Sequence, residues 1–288
     1  MRHNVFAYLN LTKPRISLLF ALSGLTALVI EGSLLTEQSR LWILVLAIFI
    51  IGGSANSFNQ YFERDIDKLM ARTARKRPLP LAQIRPRNAL LFSILSGVLG
   101  SFLLWKFGGW LAAFLGLGTI LFYSFYYTLW LKPRTPYNIV IGGIAGATGP
   151  LIGWAAATGT LHWIPFLIFL IIFLWTPPHF WALALCCKED YAKVGLPMLP
   201  LVAGDEATRK QILLYSLVLV PVAVSLMLFE SIGRFYGITS IILGAIFIGM
   251  TINLFVTKTT PVAWKLFGYS IVYLLLLLLA LILDHFLT

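Results

Sequence analysis

The chain has 288 residues, 59% of them hydrophobic and only 11% charged, with a mean hydropathy of +0.87. That balance excludes a soluble globular domain and places the chain in a lipid bilayer. The net charge of +11 would suit nucleic acid in a polar chain; here it reads as loop cations that set topology and meet anionic lipid or substrate, and no nucleic-acid partner is expected.

Apolar segments recur at 16–30, 41–62, 89–105, 110–130, 139–157, 163–186, 211–229, 235–256 and 266–283. They predict an all-α, polytopic membrane protein with nine transmembrane helices and a single domain over residues 1–288. The first segment follows Lys13-Pro14-Arg15 with no small-residue cleavage pattern after it, so no cleavable signal peptide is expected. Trp105, Trp110, Trp130 and Trp163 stand at segment ends, as interfacial anchors do. All but three of the 22 Lys and Arg residues fall on the N-terminal side; only Arg40, Lys106 and Arg234 face the other. This asymmetry predicts a cytoplasmic N-terminus and an outer, periplasmic C-terminus. No Arg/Ser-rich transit segment is present, which favours a bacterial inner membrane over a mitochondrial one.

The second segment runs into NSFNQYFERDIDKLMARTARKRPLP, residues 56–80. Asn59, Glu63 and Asp67 lie four apart and share one helical face; Asn56 falls on that face and Asp65 roughly opposite. Arg72, Arg75, Lys76 and Arg77 follow. A stripe of oxygen ligands beside a cluster of cations suits a hard divalent cation holding a phosphate-rich ligand. Any one of these carboxylates alone would be read as a helix end meeting water. Three aligned oxygen side chains at the mouth of a membrane helix are costly to keep there, and favour a site.

Lys132, Arg134 and Asn138 connect the fourth and fifth segments. Next comes the glycine-rich IGGIAGATGPLIGW, in which Pro150 is expected to bend the span against a neighbour or a ligand cavity. The sixth segment carries Pro177-Pro178, expected to kink or interrupt it, and then His179. That imidazole could ligate a metal, move a proton, or simply donate to a carbonyl freed by the prolines. The adjacent Cys186 and Cys187 form neither a disulfide framework nor a metal motif and read as packing. Glu189 and Asp190, with Lys188 and Lys193, make a second acidic cluster on the same membrane side as the first. The last three segments are nearly free of polar groups, and Asp284 and His285 read as solvated tail. Ionisable groups are almost absent from mid-span positions and no internal repeat is evident, which disfavours a transporter or channel.

In these residues the chain resembles the UbiA superfamily of intramembrane prenyltransferases. The superfamily's first acidic motif stands here as Asn59-Gln60-Tyr61-Phe62-Glu63-Arg64-Asp65-Ile66-Asp67, followed by Arg72-Thr73 and Arg77-Pro78-Leu79. Its second motif falls on Cys186 and Asp190. Pro178-His179-Phe180-Trp181-Ala182-Leu183-Ala184, the stretch from Asp190-Tyr191 to Pro200, and Lys132 to Trp154 point to the branch that farnesylates haem. The resemblance spans essentially the whole chain. It implies transfer of a farnesyl group from farnesyl diphosphate to a vinyl group of haem B with addition of water. It implies Mg²⁺ held by Asn59, Glu63, Asp67 and Asp190, with His179 as the haem contact. Asn56, Arg72, Arg77, Lys132, Arg134, Asn138, Lys193, Tyr126 and Trp181 would bind substrate, with Tyr123, Tyr126, Tyr127 and Trp181 offering π faces to a cation. Gln60, Glu189 and Cys186 are further candidates beside the metal, and a haem A synthase would be the downstream partner. The alternatives are a prenyltransferase acting on an aromatic quinone precursor and, from another class, a membrane haem carrier or transporter.

Overall fold

The computed structural model describes residues 2–287, with side chains from Val5 onward; the side chain of Arg2, one of the cations counted above, lies outside the described side chains. Every regular element among the described residues is helical. Besides two short 3-10 turns (Ser33–Thr36 and Leu226–Leu228), they are, in chain order, α1 (Arg2–Leu11), α2 (Pro14–Glu31), α3 (Gln38–Phe62), α4 (Arg64–Leu69), α5 (Ala71–Ala74) and α6 (Pro86–Leu121), followed by a π-helix (Phe122–Leu131). Then come α7 (Asn138–Ala147), α8 (Gly149–Thr158), α9 (Trp163–Cys186), α10 (Lys188–Lys193), α11 (Leu199–Val202), α12 (Gly204–Ser225), α13 (Arg234–Thr257) and α14 (Thr260–Leu287).

Eight helical stretches among the described residues are long and apolar enough to cross a membrane. One of them, Pro86–Leu131, has 46 residues and would reach roughly 70 Å if straight, twice the thickness of a hydrocarbon core. It is folded in two. Gly109 sits at φ 84° and ψ 175°, a conformation open to glycine and costly for other residues. A Cβ on Gly97 would lie 3.3 Å from Ile120 Cδ1, and one on Gly116 2.6 Å from Leu104 Cδ1, so the arms either side of Gly109 run antiparallel. The nine expected spans are thus present, with the third and fourth joined by a single-residue turn.

Consecutive spans pack on one another from α2 round to α14, and α14 returns to α2 to close a ring. Of the two larger apolar cores, one is shared by α2, α3, α6 and α8 and the other is built mainly from α9 and α12 to α14; a third, smaller one joins α1, the loop after α5 and the start of α6. Small residues let these helices approach closely. At the α2–α8 crossing a Cβ on Gly153 would sit 2.3 Å from the Gly24 carbonyl oxygen. The glycine-rich fifth span breaks at Thr148, with Pro150 in the first turn of α8, as the sequence predicts. Pro177 and Pro178, by contrast, do not interrupt α9, which runs through both.

The far end of α14 also differs from expectation. Asp284 is 0% exposed and its carboxylate accepts from the Gly233 N–H and, at 2.9 Å, from the Tyr236 N–H. These are orphan donors of the first turn of α13, so Asp284 caps a neighbouring helix instead of meeting water. His285 packs beside Gly32. On the same short-loop side, Arg40 Nε donates to the Phe107 carbonyl at 2.8 Å.

The Gly24–Gly153 crossing carries a direct test. Gly153→Ala is expected to lower stability by roughly 1–3 kcal/mol, because backbone would have to move. Gly146→Ala, where a Cβ meets open space, is expected to leave the detergent melting temperature level or slightly higher. Thermal unfolding of the two purified variants checks both.

Candidate active site

The predicted stripe forms where α3 gives way to α4. The Glu63 N–H donates to the Asn59 carbonyl at 2.9 Å and the Asp67 N–H to the Glu63 carbonyl at 2.8 Å, so helical register survives the boundary between the two helices. Asn59, Glu63 and Asp67 are 2%, 6% and 2% exposed. Charged groups so buried need partners. Lys132, just past the π-helix, pairs with Glu63; Arg77 pairs with Asp67 and reaches Glu63 at 3.4 Å. The Thr73 hydroxyl, at 2.8 Å, donates to the Asp67 carbonyl and pins the intervening turn. Asp65 points elsewhere, exposed and paired with Lys68 at 3.1 Å.

Lys13 completes the cluster and was not foreseen as part of it. Its ammonium donates to Asn59 Oδ1 at 2.8 Å, while Asn59 Nδ2 donates to Thr128 Oγ1 at 3.1 Å. Lys13 has φ 49°, ψ 66°, a left-handed conformation that is strained for a non-glycine residue, and it turns the chain into α2 at Pro14. Its only sequence signal was its place beside Pro14 at the start of a span. The π-helix was equally unforeseen. Its wider turns let Thr128 donate to the Tyr123 carbonyl five residues back at 2.7 Å and aim its oxygen at Asn59.

Three cations, Lys13, Arg77 and Lys132, thus surround two carboxylates. Burial alone would raise the Glu63 carboxyl, but Lys132, Arg77 and Lys13 together hold it down at about 2. For Asp67 burial prevails over the pull of Arg77 and raises the carboxyl above its ordinary value, helped by the Glu63 charge. Burial would lower Arg77; Asp67 and Glu63 reverse that and raise it. Burial and then Arg77 push the Lys13 ammonium well below its ordinary value. Two carboxylates and an amide carbonyl are hard oxygen donors of the kind Mg²⁺ prefers, so this donor set fits that ion. Among the described residues, no group of three His, Cys, Asp or Glu converges at one point.

Asp190 sits with α5 and apart from the stripe. Its oxygens accept from the backbone N–H groups of Ala71 and Arg72 at 3.3 and 3.1 Å, and Lys193 lies 3.7 Å away. The second acidic loop thus docks on the turn that follows Asp67. Arg72 belongs to this second group, its guanidinium 6.0 Å from the Tyr191 ring centroid. Gln60 faces away from both, donating to the Asn10 and Leu11 carbonyls at 3.0 and 2.8 Å and tying α1 to α3. Glu189 is exposed, and Cys186 Sγ faces the Thr260 carbonyl at 3.9 Å, so neither accompanies Asp190.

Other expected site residues are placed elsewhere. Asn56 ties α3 to Ser17 of α2 at 3.2 Å. Arg134 caps the π-helix through the Trp130 carbonyl at 2.7 Å. The Asn138 amide nitrogen donates to the Thr135 carbonyl at 2.6 Å, and its Oδ1 is buried without a partner. Tyr126 is 42% exposed and stacks on Trp130 on the outer surface, which removes it from any inner cation. Trp181 is fully buried, edge-on to Tyr215 between α9 and α12. Tyr123 and Tyr127 stack on each other, with Tyr123 within electrostatic reach of Glu63 and Arg77. His179 lies deep in α9, its Nδ1 2.7 Å from Ser270 Oγ of α14.

Residues 17–282 match the UbiA prenyltransferase family, and the chain belongs to it. It is 44% identical to the protoheme IX farnesyltransferase of Symbiobacterium thermophilum, over 96% of this chain and 93% of that one. It is 46% identical to that of Gloeobacter violaceus, over 96% and 91%. The fold is also similar to that of a digeranylgeranylglyceryl phosphate synthase, with a TM-score of 0.81 and 20% identity across the full length of both chains. A UbiA homologue from Archaeoglobus fulgidus solved with DMAPP and Mg²⁺ has a TM-score of 0.62 and 18% identity over 93% of this chain and 99% of that one.

The Glu63 pairing predicts an acid-stability signature. A carboxyl held from its ordinary 4.5 down to about 2 stabilises the fold fully above the ordinary value, and that contribution disappears as pH falls towards 2. Its size is roughly 3 kcal/mol. Lys132→Met is expected to lose most of it at neutral pH and to flatten the fall in melting temperature between about pH 4.5 and 2, measured on metal-free protein.

Proposed function

We propose that the chain transfers the farnesyl group of farnesyl diphosphate to a vinyl group of haem B, with addition of water, giving haem O and diphosphate. The observation that carries the leaving-group half is the set of buried basic side chains, Lys13, Arg77 and Lys132, gathered over Glu63 and Asp67, with Lys13 bonded to a neutral amide and, among the described residues, to no carboxylate. Basic groups in a low-dielectric mouth stabilise the negative charge that builds on diphosphate as its C–O bond breaks, and that charge in turn favours the protonated form of Lys13. The acceptor half rests on likeness to the protoheme IX farnesyltransferases across nearly the whole chain.

Asn59, Glu63 and Asp67 are the stripe residues that would hold Mg²⁺, and Asp190 of α10, which in this structure caps Ala71 and Arg72 beside the stripe, is the ligand proposed from the second acidic loop. When bound it supplies Lewis-acid neutralisation of the phosphate oxygens. Lys13, Arg77 and Lys132 bind the diphosphate oxygens, and Arg72 and Lys193 extend the basic rim. Tyr123 and Tyr127 present π faces to the allylic cation left behind. The apolar helix ring keeps water scarce, so the electron-rich vinyl group attacks that cation before solvent does. Water then adds to the new cation beside the porphyrin, losing a proton to give the hydroxyl. His179 contacts the haem. The mouth faces the cytoplasm of a bacterial inner membrane and the C-terminus lies outside, as the cation asymmetry predicts. The product is a membrane-bound haem, and a haem A synthase is the proposed downstream partner.

A prenyltransferase acting on a quinone precursor would share the mouth but form no haem product, and a haem carrier would release no diphosphate. Purified protein given haem B and farnesyl diphosphate is expected to yield a farnesylated, hydrated haem by mass spectrometry and to release diphosphate only when Mg²⁺ is present. Asp67→Asn should reduce that turnover by at least two orders of magnitude with folding and insertion intact. Persistent Mg²⁺-dependent activity in that variant would remove Asp67 from the metal site.

A further inference from the structure

His179 is fixed on three sides. Its ring lies 4.4 Å from that of Trp175 and 4.6 Å from that of Phe267, with interplanar angles of 17° and 23°, so two aromatic faces hold its plane. Ser270 of α14 holds one edge, with Oγ 2.7 Å from Nδ1. The same serine accepts, through its backbone carbonyl, the Trp175 indole N–H at 2.7 Å. One residue of α14 thus meets two rings one helical turn apart on α9, and it is itself fully buried.

The serine hydroxyl has a single proton. Ser270 Oγ lies 2.7 Å from the Phe267 carbonyl, three residues back, an oxygen that can only accept. With its proton given to Phe267, Ser270 has only lone pairs left for the imidazole. Nδ1 must then carry the hydrogen and donate, and Nε2 is left as the bare nitrogen. This is the tautomer a metal ligand needs. The reverse arrangement, with Ser270 donating to Nδ1, would put the hydrogen on Nε2 and forbid ligation.

We infer that Ser270 is a positioning residue: by spending its proton on the Phe267 carbonyl it sets the His179 tautomer that offers Nε2 to the haem iron. The inference rests on the proposed haem contact of His179. It goes further in assigning to α14, which carries no residue of the acidic mouth, a part in orienting the acceptor substrate. A hydrogen bond of this kind also raises the basicity of the ligating nitrogen, and loss of such a partner costs roughly 10- to 100-fold in metal affinity.

The test uses the full-length protein in detergent or nanodiscs, titrated with haem B in the absence of farnesyl diphosphate. Haem affinity is read from the Soret band, and the iron–histidine stretch of the ferrous form from resonance Raman. Ser270→Ala is expected to weaken affinity by roughly 10- to 100-fold and to shift the iron–histidine stretch to lower frequency. Ser270→Thr, which keeps the hydroxyl, is expected to restore both. His179→Ala should remove the stretch altogether. If His179→Ala leaves the spectrum unchanged, the haem contact fails and the inference with it. If His179→Ala abolishes the stretch while Ser270→Ala matches wild type, the haem contact stands and the role of Ser270 is overturned. Should Ser270→Ala fail to fold, Ser270→Cys fills the same space with a poorer acceptor; a wild-type stretch in that variant overturns the role equally.

Discussion

The ion-pair cluster around Glu63 is the constraint from which the rest of the mouth follows. Taking a carboxylate out of water costs several kcal/mol unless cations meet it, and breaking one side of such a pair costs more than the pair contributes. Glu63 is answered by Lys132 from the end of the π-helix and by Arg77 from the loop after α5, which also binds Asp67. Three separate segments are thereby fastened at one point. Lys13 brings in a fourth, the start of α2, through the neutral Asn59. Glu63 and Asp67 are met by Lys132 and Arg77, and Lys13 is left with a neutral amide as its partner and with burial working against its charge. An anion arriving at this point would favour the protonated form of Lys13.

How much of this was legible follows from the range of each interaction. The Asn59–Glu63–Asp67 stripe depends on helical periodicity alone, and the backbone bonds that join α3 to α4 preserve it across a helix boundary. The break at Thr148 follows from Pro150, and the hairpin at Gly109 from a glycine pair between two apolar runs; both are local. Lys13 was legible only as a flanking charge, because its route into the site depends on a left-handed residue and on α3 passing beside it. The π-helix leaves no mark in an aromatic-rich apolar stretch. Asp284 looks like a tail carboxylate until α13 is seen to begin beside it. Tyr126 and Tyr127 are adjacent in sequence and face opposite ways, and only packing separates the lipid-facing ring from the inner one.

Asp190 shows how a motif can be present and yet serve more than one need. In this arrangement it caps the amides of Ala71 and Arg72, so the second acidic loop is docked on the first by the residue expected to bind metal. The docking has a physical use whether or not metal is bound. It holds the turn that carries Arg77 over the carboxylates, and Thr73 reinforces it by bonding to the Asp67 carbonyl. Cys186, at the other motif position, faces α14 and leaves Asp190 as the only carboxylate that α10 turns towards α5.

The two substrates proposed for this chain differ in what they demand, and the fold separates the demands. Diphosphate needs charge, and charge is affordable only at the mouth, where loops and helix ends supply it in compensated form. Haem needs a neutral nitrogen with a free lone pair inside an apolar wall, where an ionised group would be prohibitive. His179, the proposed haem contact, would meet that need without a charged partner. Serine and a backbone carbonyl set its tautomer by hydrogen-bond count alone, and Trp175 and Phe267 hold its plane. A carboxylate in place of Ser270 would orient the imidazole as well, but would add a buried negative charge with no cation of α14 near it in sequence except Lys265, one turn and more towards the mouth. A neutral second partner is therefore the solution that a membrane interior permits.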